Sequence, residues 1–293
     1  MALWLRRLPL VSGIVTTLLG LIVVESYVFG SGPEVSSVLM VPQTVPLAAL
    51  MFVLAGAGLL SLLARLPRHQ AIAAGLVVLP ATLVLLEYLA WWDPGLDTLL
   101  FPDDLARIPS TFPGRPAPIM TASFLLLGVA LLLAVNGRHR QHRRAHIAAL
   151  IAAGGLPLIA VVGHLMGVSE LYALAPGVGL SLADAVLLLL LTVGVAAATH
   201  QATLAELIAG RDPGTILLRR LLPVAVMVPV LFAAGSLLAL RLGFYQTHVA
   251  LAVFIATFVG LSLLAAFRVA SVVRRADGER RAAEWAEAER ALG

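Results

Sequence analysis

The sequence predicts an all-α, polytopic integral membrane protein. About eight transmembrane helices form four outward-pointing hairpins in weak repeat, followed by a cytoplasmic C-terminal helix. Three observations predict it. The 293 residues are 60% hydrophobic and only 12% charged, with mean hydropathy +0.98, whereas a soluble domain carries roughly a quarter of its residues as charges. Eight apolar stretches each approach the 20 or so residues a helix needs to cross the hydrocarbon core. Between them, the arginines fall almost wholly on one side.

In chain order the stretches are 8–27, 43–64, 71–91, 118–136, 146–167, 178–199, 221–241 and 248–268. The first is too long for the apolar region of a signal peptide and no A-x-A site follows it, so it is expected to stay as a membrane helix. The seventh carries Pro223 and Pro229, which bend a helix without ending it where neighbours satisfy the released carbonyls. With the N-terminus inside, the inner segments hold seventeen arginines, from Arg6 and Arg7 through the Arg138–Arg144 group to the six from Arg268 onward. Only Arg107, Arg115 and Arg241 fall outside. That bias places both termini in the cytoplasm and requires an even number of spans. The longest outer loop, 92–118, has Trp91 and Trp92 at its start as interfacial anchors, then Asp93, Asp97, Asp103, Asp104 and several prolines. It reads either as a structured cap over the outer mouth or as a solvated connector.

Composition also excludes chemistry. With no cysteine there is no disulfide and no thiol-based metal or redox motif. All 20 basic residues are arginine, so no lysine can form a Schiff base and a retinal chromophore is excluded. The pI of about 10.3 reflects arginines placed between apolar spans, so it signals topology and no nucleic-acid partner is expected. No cofactor is identified by the sequence; haem or metal at His164 has no second histidine at helical spacing to support it, and His248 at another hairpin mouth is its only distant candidate partner. His139, His142 and His146 lie among four arginines and read as a basic inner surface facing anionic lipid.

The odd stretches end alike, with Glu25 to Gly30, Glu87 to Trp91, Gly163 to Gly167 and Leu240 to Gly243, and each following stretch carries a mid-helix glycine: Gly56, Gly128, Gly194, Gly260. This pattern reads as four hairpins in weak repeat. It puts polar side chains at one depth: Glu25, Glu87, Tyr88, His164 and Arg241 in the last turns before the outer surface, with Thr121 and Asp184 about one turn below on the even helices. Ionisable groups inside a span are costly and normally face the bundle interior in pairs. Glu25 or Glu87 with Arg241 is the expected pair; the alternative is solvated glutamates and an arginine snorkelling to the interface. Asp184, set in an almost continuously apolar run, is expected to be paired or protonated, depending on whether Arg241 or His164 can reach it.

After the eighth stretch, residues 268–292 read RVASVVRRADGERRAAEWAEAERAL, an Ala-rich charged helix with Arg280 and Glu284 at i, i+4 spacing and Ala276, Ala283 and Ala286 close to a heptad seam. Together with RPAPIMTASFLLLGVALLL at 115–133, LMGVSELY at 165–172 and RRLLP at 219–223, this resembles the multi-span N-terminal sensor region of bacterial sensor histidine kinases and diguanylate cyclases, the membrane-associated sensor domain type. The resemblance covers most of the chain and implies a transmembrane sensor domain, 1–268, joined to a signalling helix, 269–293. It implies a homodimer through that helix, a cytoplasmic kinase or cyclase as output, and no catalytic residue within these 293 positions. No phosphoacceptor-histidine, ATP-lid or cyclase motif occurs in them, so the output is expected on a continuation of the chain or on a partner.

Three functions remain open at this point: a sensory module responding near the outer leaflet, a small-molecule transporter, and a lipid-modifying enzyme. Polar groups clustered near one face favour the first, because transporters place broken helices and binding sites at mid-membrane. Reporter fusions after Ala64, Val135, Arg211 and Gly293 are expected to report cytoplasm, and fusions near Asp104 and Tyr172 periplasm. A periplasmic signal at Gly293 overturns the eight-span topology.

Overall fold

The computed structural model describes residues 2–30, 44–90, 95, 99–106, 110–135, 140–175 and 178–199, all within a compact unit covering 1–201. The seventh and eighth stretches, Arg241, His248 and the 269–293 helix lie outside the described residues.

Six helices carry the fold: α1 (Ala2–Val28), α2 (Pro46–Leu63), α3 (Pro67–Ala90), α5 (Pro118–Val135), α6 (Arg140–Met166) and α7 (Leu182–Thr199), with a single turn, α4 (Pro102–Leu105), in the loop between α3 and α5. Five are long and apolar enough to cross a membrane, and the apolar Pro118–Ala134 run of α5 falls just short of that length. The described part is therefore a helical membrane protein. Proline opens α2, α3 and α5, where its missing N–H would have had no intrahelical acceptor anyway. Ser181 caps α7 by accepting the Asp184 N–H at 3.0 Å. Two helices stop in the same way. After α2, the Leu66 N–H reaches the Ser61 carbonyl and the Arg65 N–H the Leu62 carbonyl; after α6, Val168 and Gly167 do the same to Gly163 and His164. Both are Schellman caps, which need a left-handed residue. Gly167 supplies it freely, whereas Arg65 adopts φ 56° against the usual preference of a residue with a Cβ.

The structure departs from the expected elements in two places. The helix foreseen from 146 begins at Arg140, because the charged turn before it continues the helix. The stretch foreseen from 178 begins only at Leu182: Val178–Gly179 pairs antiparallel with Ala173–Ala175 as a two-stranded ribbon, β1 and β2, so the fold is not purely α.

The helices close into a ring in the order α1, α2, α3, α5, α6, α7 and back to α1. Helices α2, α5 and α7 also touch one another at the centre, so each of α1, α3 and α6 sits between two inner helices. Phe52 of α2 and Phe124 of α5 meet edge to face with centroids 4.8 Å apart, and Leu59, Leu131, Leu188 and Leu191 fill the layers below. Outward faces are apolar and exposed, as at Leu18, Leu79, Ile151 and Val193, which suits lipid as the surrounding solvent. The inner helices have 18 residues each, the outer ones 27, 24 and 27.

Two glycines set the closest approaches. A Cβ on Gly56 would lie 2.4 Å from Thr17 Oγ1, and one on Gly194 would lie 2.6 Å from Ser12 Cβ and 2.9 Å from Leu59 Cδ2. In lipid, small residues of this kind let helix backbones come together. Gly194→Ala is therefore expected to destabilise the bundle by about 1–3 kcal/mol through overpacking, measured by unfolding in mixed detergent. Gly75→Ala in α3, where an added Cβ meets nothing within 4 Å, is expected to be neutral or to stabilise by up to about 1 kcal/mol.

Candidate functional site at the cap end of the bundle

The C-terminal ends of α1, α3 and α6 and the N-terminal ends of α2, α5 and α7 share one end of the bundle, where the longest loop also lies. In the loop, the sequence Phe112-Pro113-Gly114-Arg115 folds as a tight turn: Gly114 takes φ 84° and the Arg115 N–H reaches the Phe112 carbonyl at 3.2 Å. The turn sends the Arg115 side chain back into the bundle. Its Nε lies 3.2 Å from Glu87 Oε2, with the two side chains 4% and 0% exposed. Its guanidinium carbon lies 5.3 Å from the Tyr88 ring centre and 4.8 Å from that of Phe112, and the two rings meet edge to face. The arginine is thus held by a carboxylate and two π faces, a set that favours a planar delocalised cation. Tyr88 Oη donates to the Pro116 carbonyl at 3.2 Å, and Thr121 Oγ1 to that of Ala117 at 3.0 Å, so both fix the backbone that carries Arg115.

Asp184, in the first turn of α7, is 2% exposed. Thr44 Oγ1 donates to its two carboxyl oxygens at 2.8 and 2.9 Å, across 140 residues of chain. Tyr27 of α1 fixes Thr44 in turn, with its Oη 3.4 Å from the Thr44 carbonyl, while its ring packs on Phe101 of the loop. Asp184 and Arg115 line a common cavity of about 20 Å³ with Val45, Met120 and Gly179, room for about one water.

His164 occupies a third corner. Its Nε2–H donates to the Leu180 carbonyl at 2.8 Å and its ring stacks on Tyr172 at 3.7 Å. It positions the ribbon whose Val178 and Gly179 line the same cavity.

Of the seven residues expected to form the outer network, the structure places Glu87, Tyr88 and Thr121 in one cluster. Asp184 lies on a cavity that Arg115, the partner of Glu87, also lines, and His164 acts on it through the backbone. Three of these residues are placed as follows. Glu87 pairs with Arg115, because the Pro-Gly turn delivers that arginine to it. Glu25 is exposed, turned away from the bundle. Asp184 takes a hydroxyl as its partner, since Thr44 sits at the adjacent start of α2. Arg241 lies outside the described residues. His146, read as part of a basic surface, is buried at the opposite end: Nδ1–H donates to the Ala130 carbonyl and Nε2 lies 3.1 Å from Thr199 Oγ1, tying α6 to α5 and α7. Gln70 ties α3 to α5 there, through the Leu131 carbonyl. Among the described residues, no three His, Asp or Glu side chains gather to hold a metal ion.

Arg115 and Thr44 were missed from the sequence. The available signal for Arg115 was its standing as one of three exceptions to the arginine bias; Thr44 had none. Removing one member of a buried ion pair strands the other. Arg115→Gln is therefore expected to cost about 3–5 kcal/mol in detergent unfolding, and Arg115→Lys to recover only part of it, the planar stack being lost. Adding Glu87→Gln to Arg115→Gln is expected to restore most of the stability; additive losses would show that the pair does not couple.

No protein-family model matches the chain, and neither a curated protein nor a solved structure is significantly similar to it.

Proposed function

We propose that the chain is a membrane-embedded sensory module that takes its stimulus at the outer end of the bundle. It passes a conformational change through the 269–293 helix to a cytoplasmic kinase or cyclase. In this reading the seventh and eighth stretches add a fourth hairpin to the three described, both termini are cytoplasmic, and the module works as a homodimer in a bacterial inner membrane. One observation carries it: the buried Arg115 and Asp184 line one cavity at the cap end, with Glu87 paired to that arginine, while the other end is tied by His146 and Gln70. Intramembrane ionisable groups are kept at a cost and mark function. A site that is polar at one end of a tied bundle suits a device that biases two arrangements of its helices. The resemblance of 115–133 and of the exit helix to sensor regions supports the same reading.

The test uses the native absence of cysteine. Single cysteines placed along 276–290 of the membrane-embedded, full-length protein are expected to give disulfide crosslinks peaking every three to four residues, as a parallel helix pair does. The peaks are expected to change height or register with Glu87→Gln. Uniform absence of crosslinks removes the signalling-helix reading. Crosslinks indifferent to the cap-end change, with solute uptake in proteoliposomes, favour a transporter instead.

A further inference from the structure

Helices α1 and α7 touch at Ser12 and Gly194 and diverge toward the cap end. Between them opens a cleft of about 440 Å³, within the range of about 300–1,000 Å³ typical of small-molecule pockets. Its walls are Val15, Leu19 and Val23 of α1 and Leu187 and Leu190 of α7, and Phe52 of α2 forms its floor. The polar side chains on it are Asp184 and Thr44, at the cap end.

We infer that this cleft is a binding site, reached from within the bilayer, for an amphiphile with a hydrocarbon tail and a hydrogen-bond-donating head, a hydroxyl or an ammonium group. Four observations support it. Leu182 and Val186, which line the cleft on α7, are exposed, as are Leu18 and Ile22 next to its α1 wall, on helices of membrane-spanning length, so among the described residues the opening lies on the apolar outer surface that admits molecules dissolved in lipid. The wall is apolar throughout the length a tail would occupy. At its end sits a carboxyl group with two hydroxyls beside it, those of Thr44 and Ser181, each with one hydrogen to give. A carboxylate has about four acceptor positions, so it can receive further donors. Finally, among the described buried groups of the cap end, two acids face one arginine, which favours a donor or a cation over an anion. A tail alone would gain nothing by leaving lipid for an apolar wall, so the head is what selects the site.

Occupation would wedge α1 from α7 on the cap side of the Ser12–Gly194 contact. The inference thus supplies a ligand class for the sensory reading and rests on it for its purpose, but the binding itself can be tested alone. The protein, reconstituted in phosphatidylcholine nanodiscs, is photolabelled with three diazirine probes of equal chain length: an alkyl alcohol, an alkylammonium and a headless alkane. At least one headed probe is expected to label the peptides containing 15–23 and 182–190 in preference to the exposed faces of α3 and α6, and to do so well above the alkane. Which head succeeds tells a neutral donor from a cation. Asp184→Ala is expected to lower that labelling about tenfold or more, as the loss of a charge-assisted hydrogen bond does. Leu187→Phe, which fills the cleft and leaves the acid in place, is expected to lower it too, and guards against a fold defect in the first variant. Equal labelling by the alkane, or labelling spread evenly over all lipid-facing helices, overturns the site. Specific labelling with exit-helix crosslinks that ignore the ligand keeps the site and removes the sensory reading; responsive crosslinks without specific labelling do the reverse.

Discussion

Six apolar helices surrounded by lipid have no hydrophobic reason to gather, since the solvent outside matches the side chains within. What holds this ring is close contact of backbones, and the contact that closes it is Ser12 of α1 against Gly194 of α7. Everything at the cap end follows from that closure. It sets α1 beside α7 so that Tyr27 can hold the Thr44 carbonyl, and Thr44 then meets Asp184. Gly56 does the same work between α1 and α2 against Thr17. The central helices are thereby drawn together until Phe52 and Phe124 touch.

The second requirement is electrostatic. An arginine drawn into a helix bundle must be compensated, and Arg115 meets a carboxylate at its Nε, two aromatic rings set edge to face beside its guanidinium, and a backbone stapled by Tyr88 and Thr121. The loop that carries it is consequently part of the core. Leu105 is buried and Phe101 packs on Tyr27, so the described parts of that loop form a cap, the first of the two alternatives its composition allowed. At the far end the side chains of Gln70 and His146 add acceptor duty to two successive carbonyls of α5, Ala130 and Leu131. The two ends of the bundle are thus built differently, one hollow and charged, the other cross-tied.

Hydropathy made the helices legible, because a span is announced by its own residues. It also made Asp184 legible as an acid with nowhere to be solvated. Partners were another matter. Thr44 is an ordinary residue ahead of Pro46, and nothing in either segment tells of the other across the chain. Position near helix ends suggests Arg241 as a partner for Glu25 or Glu87, and Arg241 lies outside the described residues; the described arginine that reaches Glu87 comes from a Pro-Gly turn, a local geometry that hydropathy does not register. His146 sits among arginines in sequence, yet on a helix its neighbours point elsewhere, and its ring turns inward while Arg143 and Arg144 face out. The ribbon at Ala173–Gly179 escaped for a related reason: its residues are as apolar as the helix that follows, and only Ser181 marks where the helix starts.

The unequal helix lengths carry one more implication. At 1.5 Å per residue, the three inner helices are about 27 Å long, a little under the thickness of a bilayer's hydrocarbon core, and the outer three about 36–40 Å. No single membrane thickness suits both sets. Each outer helix has a proline inside it, Pro9, Pro80 and Pro157, and no inner helix has one beyond its first residue. The long helices can therefore lean and bend around the short ones. Lipid beside the described helices would meet a rim of adjustable height around a core of fixed height, with the mismatch absorbed at the three prolines.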